Sequence, residues 1–97
     1  MTTPALVDPA WRLTLPPDRV AVEELDGRFL LVRLDDGRCF DLNATGMFLW
    51  RCLEAGPCTQ RALVSQIAAA ARVEQAHVAA DVGAFLDQLR RHGLISA

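Results

Sequence analysis

Few side chains in this sequence are of types that do chemistry, and their spacing argues against a catalytic centre. His77 and His92 lie fifteen residues apart in one helical stretch. At about 1.5 Å of rise per residue, they are too distant to share a metal ion. His92, at the end of that stretch, suits a helix-terminal cation. Cys39, Cys52 and Cys58 lack paired metal-ligand spacing, and their odd number does not describe a disulfide framework. Buried, reduced thiols are the simpler expectation. The carboxylate pairs Glu23-Glu24 and Asp35-Asp36 fall on a strand and in a turn, where solvated charge accounts for them. There is no glycine-rich phosphate loop, no Gly-x-Ser-x-Gly and no His-Glu-x-x-His. Catalysis needs a nucleophile, a base or a metal cluster held in a pocket. The expectation is therefore a chain that is not an enzyme, with no cofactor and no metal.

Composition narrows the remaining choices. The 97 residues suffice for one domain with one core, and 52% apolar with 23% charged residues is the balance of a compact globular protein. Net charge is −2; all ten basic residues are arginine, scattered among twelve carboxylates with no basic stripe. Nucleic acid is thus a poor ligand. Met1 to Ala10 has neither the basic start nor the apolar centre of a signal peptide, and no apolar run approaches the ~18 residues of a membrane span. A cytoplasmic protein with no membrane association is expected.

The elements follow from turn and cap chemistry. Residues 1–17 carry four of the five prolines and read as an N-terminal arm; residues 18–97 read as the domain. Trp11, Leu13 and Leu15 alternate within the arm, which suits either a segment lying on an apolar surface or a frayed end. Arg19 to Leu25 and Arg28 to Leu34 read as strands joined by Asp26-Gly27, a tight-hairpin signal whose central positions favour φ > 0. The second of them is apolar on both faces, with Phe29 and Leu31 opposite Leu30, Val32 and Leu34. The helices can cover one face; the other needs the arm, a second copy or a partner. Asp35-Asp36-Gly37 turns the chain into a third strand, Arg38 to Leu42. Asn43 caps a helix from Ala44 to Ala55 that stops at Gly56-Pro57. Gly46 inside it suggests close approach of another backbone. Thr59 caps a second helix to Ala71, and a third runs from Gln75 to His92 with Val78, Val82, Phe85, Leu86 and Leu89 on one face. Leu94 and Ile95 fold back as apolar anchors. The fold class is α+β: a three-stranded antiparallel sheet followed by three helices, in a winged-helix-like order.

With catalysis set aside, binding remains. An edge strand presents unpaired N–H and C=O groups to which an extended peptide can add. The third strand, with Arg38, Cys39, Phe40, Asp41 and Leu42, is the expected edge. The third helix is the expected wall, with Val78, Val82 and Phe85 as floor and Asp81 and Gln88 at the rim. The same apolar stripe also reads as plain core.

Four blocks carry a family resemblance over Pro17 to Ile95: Leu30-Leu31-Val32; Gly37 through Gly46 (Gly-Arg-Cys-Phe-Asp-Leu-Asn-Ala-Thr-Gly) with Leu49-Trp50; Asp81 through Leu86 with Leu89; and Gly93-Leu94-Ile95. In these the chain resembles the PqqD family of peptide chaperones, also called RiPP recognition elements. The Gly37 to Gly46 block resembles the broader family rather than the members serving pyrroloquinoline quinone formation, which usually lack it. The resemblance implies a non-catalytic module that binds the leader segment of a ribosomally made precursor peptide beside the third strand. It implies presentation of that peptide to a modifying enzyme, a lasso-peptide protease or a radical SAM protein. Carried onto this chain, it points to Arg38 through Leu42 and to Val78, Asp81, Val82 and Phe85. Two other readings are a winged-helix DNA-binding regulator and a structural dimerisation domain, the latter also allowing a homodimeric peptide binder.

Overall fold

The computed structural model describes residues 8–97; the first seven residues of the expected arm lie outside them. The meander of β2 (Val20–Leu25), β3 (Arg28–Arg33) and β4 (Cys39–Leu42) forms an antiparallel sheet in that order. Asp26 and Gly27 take φ of 50° and 78°, the two left-handed positions the hairpin needs. At the second turn the Arg33 N–H donates to the Arg38 carbonyl, and the Gly37 N–H donates to the Arg33 carbonyl, both at 2.8 Å.

Three helices follow: α1 (Ala44–Ala55), α2 (Gln60–Ala71) and α3 (Gln75–Arg91). Their caps are as the sequence implies. The Asn43 side chain accepts the Gly46 N–H at 2.9 Å, and the Thr59 hydroxyl accepts the Ala62 N–H at 3.1 Å. The core lies between the inner face of the sheet and the helices, where Leu31, Leu49, Leu63, Val82 and Leu94 are fully buried.

Part of the stretch read as an arm is built into the fold. Ala10–Leu13 is a strand, β1, flanked by two short strands, β5 (Cys58–Thr59) and β6 (Ile95–Ser96), in a second sheet of order β5-β1-β6. Trp11, Leu13 and Leu15 are half-buried against the core, so their alternation marks a surface-packed segment and not a frayed end. The Thr14 N–H extends this pairing to the Leu94 carbonyl at 3.0 Å. The α+β order of sheet then helices holds; the likeness to a winged helix is looser, because this second sheet joins a strand ahead of the meander to one after α3. Among the described residues no helix is long and apolar enough to cross a membrane.

Candidate functional site

Strand pairing determines which main-chain groups of β4 are free. Phe29 faces Leu42, Leu30 faces Asp41, Leu31 faces Phe40 and Val32 faces Cys39. Since Arg33 bonds Arg38, the alternation of an antiparallel ladder makes Leu31/Phe40 and Phe29/Leu42 the bonded pairs. Cys39 and Asp41 therefore turn their N–H and C=O groups outward. β4 has β3 as its only strand partner among the described residues, so this edge is open.

Beside the edge lies a groove walled by α3. One hollow of about 520 Å³ is lined by Arg38, Cys39, Phe40, Asp41, Gln88 and His92. A second, of about 260 Å³, is lined by Asn43, Asp81, Ala84, Phe85 and Gln88. Gln88 lines both, so the two hollows adjoin along α3. The Phe40 and His92 rings, both lining the first hollow, are in tilted contact with centroids 4.6 Å apart.

The groove's geometry is pinned from both ends. The Arg33 guanidinium donates to both carboxylate oxygens of Asp35, at 3.1 and 2.8 Å, and to the His92 carbonyl at 2.7 Å. That fork ties the β3–β4 turn to the carbonyl end of α3. The hydrogen bond from Arg33 holds the Asp35 carboxyl below its ordinary range, partly opposed by desolvation, and the same pairing raises Arg33. At the other end, Gly46 makes room for an aromatic ring. A Cβ there would sit 2.7 Å from the Phe85 ring and 3.3 Å from the Leu42 side chain. The close neighbour of Gly46 is thus a side chain, not the backbone its position in the helix suggested.

The sequence-derived site is partly assembled. Arg38, Cys39, Phe40, Asp41, Asp81 and Phe85 meet along the groove. Leu42 is 5% exposed and Val78 9%, while Val82 is 0% exposed, so these three lie in the core and give a guest no surface. Helical geometry explains the correction. Val78, Val82, Leu86 and Leu89 face inward, and the groove stripe of Asp81, Phe85, Gln88 and His92 lies about a quarter turn round the helix. Asn43, Ala84 and His92 are lining residues that apolar periodicity does not flag. The thiols also differ from expectation, since Cys39 is exposed at the edge and Cys52 and Cys58 are half-buried. Asp41 and Arg28 pair at 2.8 Å, but both side chains are well exposed, so the pair adds little.

The scaffold that carries the open edge and the groove is α+β: a three-strand meander, three helices and a short second sheet. Residues 28–95 match the family described as coenzyme PQQ synthesis protein D (PqqD), and the chain belongs to that family. Among solved structures it is similar to that described as TbiB1 in complex with the TbiA(beta) leader peptide. The two share 28% identity, the match covers 89% of this chain and 95% of that one, and the TM-score is 0.69. It also has the fold of a lasso peptide synthetase B1 complexed with the leader peptide, at 20% identity over 90% of this chain and 98% of that one, with a TM-score of 0.65. No curated protein matches it.

Proposed function

We propose that this protein is a non-catalytic binder of the leader segment of a ribosomally made precursor peptide, which it captures as an added strand along β4 and presents to a modifying enzyme. The observation that carries the reading is the pair of outward-facing residues, Cys39 and Asp41, beside a groove lined by Phe40, Phe85, Asp81 and His92. Four main-chain groups there have no strand partner among the described residues, and an extended peptide satisfies them while its alternate side chains enter the groove. The leader-bound state of TbiB1, similar over most of both chains, supports the same choice of ligand. The modifying enzyme is of the lasso-peptide protease or radical SAM kind.

The direct test is a titration with the N-terminal half of a small precursor encoded beside this protein. Trp50 is 2% exposed and Trp11 is packed in the second sheet, and neither lines the groove. Anisotropy of a labelled peptide therefore reports binding better than intrinsic tryptophan emission. A Kd tighter than about 100 μM is expected, and weaker binding to every neighbouring precursor would reject the reading.

One observation favours self-association as a compatible second role. The outer face of the sheet shows half-buried Leu30 and Val32, with Leu25 and Leu34 61% and 53% exposed. Light scattering across a dilution series is the test, with a concentration-dependent dimer expected.

A further inference from the structure

Within the strand-addition reading, on which this rests, we infer that Asp81 is a charge-selecting residue: it favours a lysine or arginine in the guest, two residues along from the one lying over Phe40.

The geometry separates the guest's side chains. Directly opposed residues on neighbouring strands point to the same side of a sheet. A guest residue paired with Cys39 or Asp41 thus shares their outer face. One opposite Phe40 points inward, into the hollow formed with Gln88 and His92. The next inward-pointing residue is two positions further, about 7 Å along the strand. That displacement, in the direction of Leu42, leads into the hollow lined by Asn43, Asp81, Ala84, Phe85 and Gln88.

This second hollow sets two apolar side chains, Ala84 and Phe85, beside a carboxylate without a counter-ion among the described residues. Phe85 and Ala84 supply surface for a methylene stem. Asp81 makes no ion pair or side-chain hydrogen bond among the described residues, although the same helix pairs its other internal carboxylate, Asp87, with Arg90 at 2.8 Å and Arg91 at 2.9 Å. The arginine lining the first hollow, Arg38, is turned toward Asp36 at 3.6 Å. No lining residue of the second hollow is basic, so a bound strand would cover Asp81 without neutralising it unless the strand itself brings a cation. A long side chain with an apolar stem and a cationic head fits both features, and Gln88 offers its carbonyl oxygen as a second acceptor.

The test uses the full chain and a positional-scanning library of immobilised 12-residue peptides, read for the wild type, Asp81→Asn, Asp81→Arg and Asp41→Pro. The wild type should enrich Lys or Arg at a single position. Asp81→Asn should lower affinity for those peptides about three- to tenfold. Asp81→Arg should invert the preference to Asp or Glu there, with the other positions unchanged. Asp81 is exposed, so all Asp81 variants should melt as the wild type does. If bound peptides are lost with Asp41→Pro but their charge preference ignores Asp81→Arg, the inference fails while strand addition stands. If no peptide binds, or if Asp41→Pro leaves binding untouched, strand addition itself fails and the charge assignment falls with it.

Discussion

The β2-β3-β4 sheet has two edges, and they are not equivalent. By the same alternation that frees Cys39 and Asp41 on β4, Val20, Val22 and Glu24 on β2 turn their main-chain groups away from β3, since the Leu34 N–H bonds the Arg19 carbonyl. In hydrogen-bonding capacity the β2 edge is at least as rich. Its surroundings differ. The Val20 N–H is already given to the Pro17 carbonyl, the chain enters through Pro16-Pro17, and the exposed Glu23-Glu24 pair sits midway. The main neighbours of β2 are β3 and the Pro17–Arg19 turn, whereas β4 faces α3 across a groove. Main-chain groups alone offer pairing to any extended segment; a wall of side chains makes the offer selective.

Paired proline substitutions put this contrast to its hardest test. Asp41→Pro removes an outward donor on β4 and places a ring where a guest must lie, while Glu24→Pro does the same on β2. Peptide affinity should fall at least about tenfold for the first, given about 1 kcal/mol for the bond plus the clash, and stay unchanged for the second. Cys39→Pro should behave as Asp41→Pro does. Both edges tolerate the ring in the folded state, so each melting temperature should change little. Equal loss of binding at the two edges would erase the distinction.

A smaller effect is expected from Gly46→Ala, which sharpens the role of the wall. The new methyl group gains up to about 1 kcal/mol of helix propensity, yet at 2.7 Å from the Phe85 ring it forces that ring toward the groove. Overpacking of this kind costs about 1–3 kcal/mol, so a net loss of stability is expected together with weaker peptide binding. Thermal melts and peptide anisotropy measured together check both. A stable variant with intact binding would show that Phe85 has room to move without consequence.

The smallest effect concerns the clamp between turn and helix. Asp35 is depressed below its ordinary value near 3.8 by Arg33. A carboxyl depressed in the folded state adds stability that is complete above its unfolded value and is lost as pH falls through its folded value. Arg33→Gln abolishes that component, so melting temperature should decline less between pH 5 and 2 in the variant. The groove end held by the His92 carbonyl should also loosen, with a modest rise in Kd at neutral pH. An identical acid profile in the two proteins would show that the fork has no mechanical role.

Most of the architecture is legible in the sequence because its signals are local. Asn43 and Thr59 lie one residue before the helices they cap, Asp26-Gly27 forces its own turn, and Leu94 and Ile95 are buried as anchors. The second sheet escaped because β5 and β6 have two residues each, too short for alternation, and β1 joins Arg12 to Ser96 across nearly the whole chain. The groove was half legible for a different reason. Apolar spacing on α3 reports what is hidden, which is why Val78 and Val82 stood out though they are core. The groove lining on α3 and just beyond it is Asp81, Ala84, Gln88 and His92 with Phe85, a mixture of acid, small, amide, imidazole and aromatic residues with no period that marks it. Which edge stays free also depends on where α3 lands, and that is a property of packing.

The pairing of Arg12 with Ser96 has a consequence for how such a domain can be carried. Because the first described strand and the final one lie side by side, the stretch between them begins and finishes at nearly the same spot. A host polypeptide could accept that stretch in a surface loop, or Arg12 and Ser96 could be bridged and the chain reopened in the α2–α3 turn at Val73-Glu74, with β4 left unbroken.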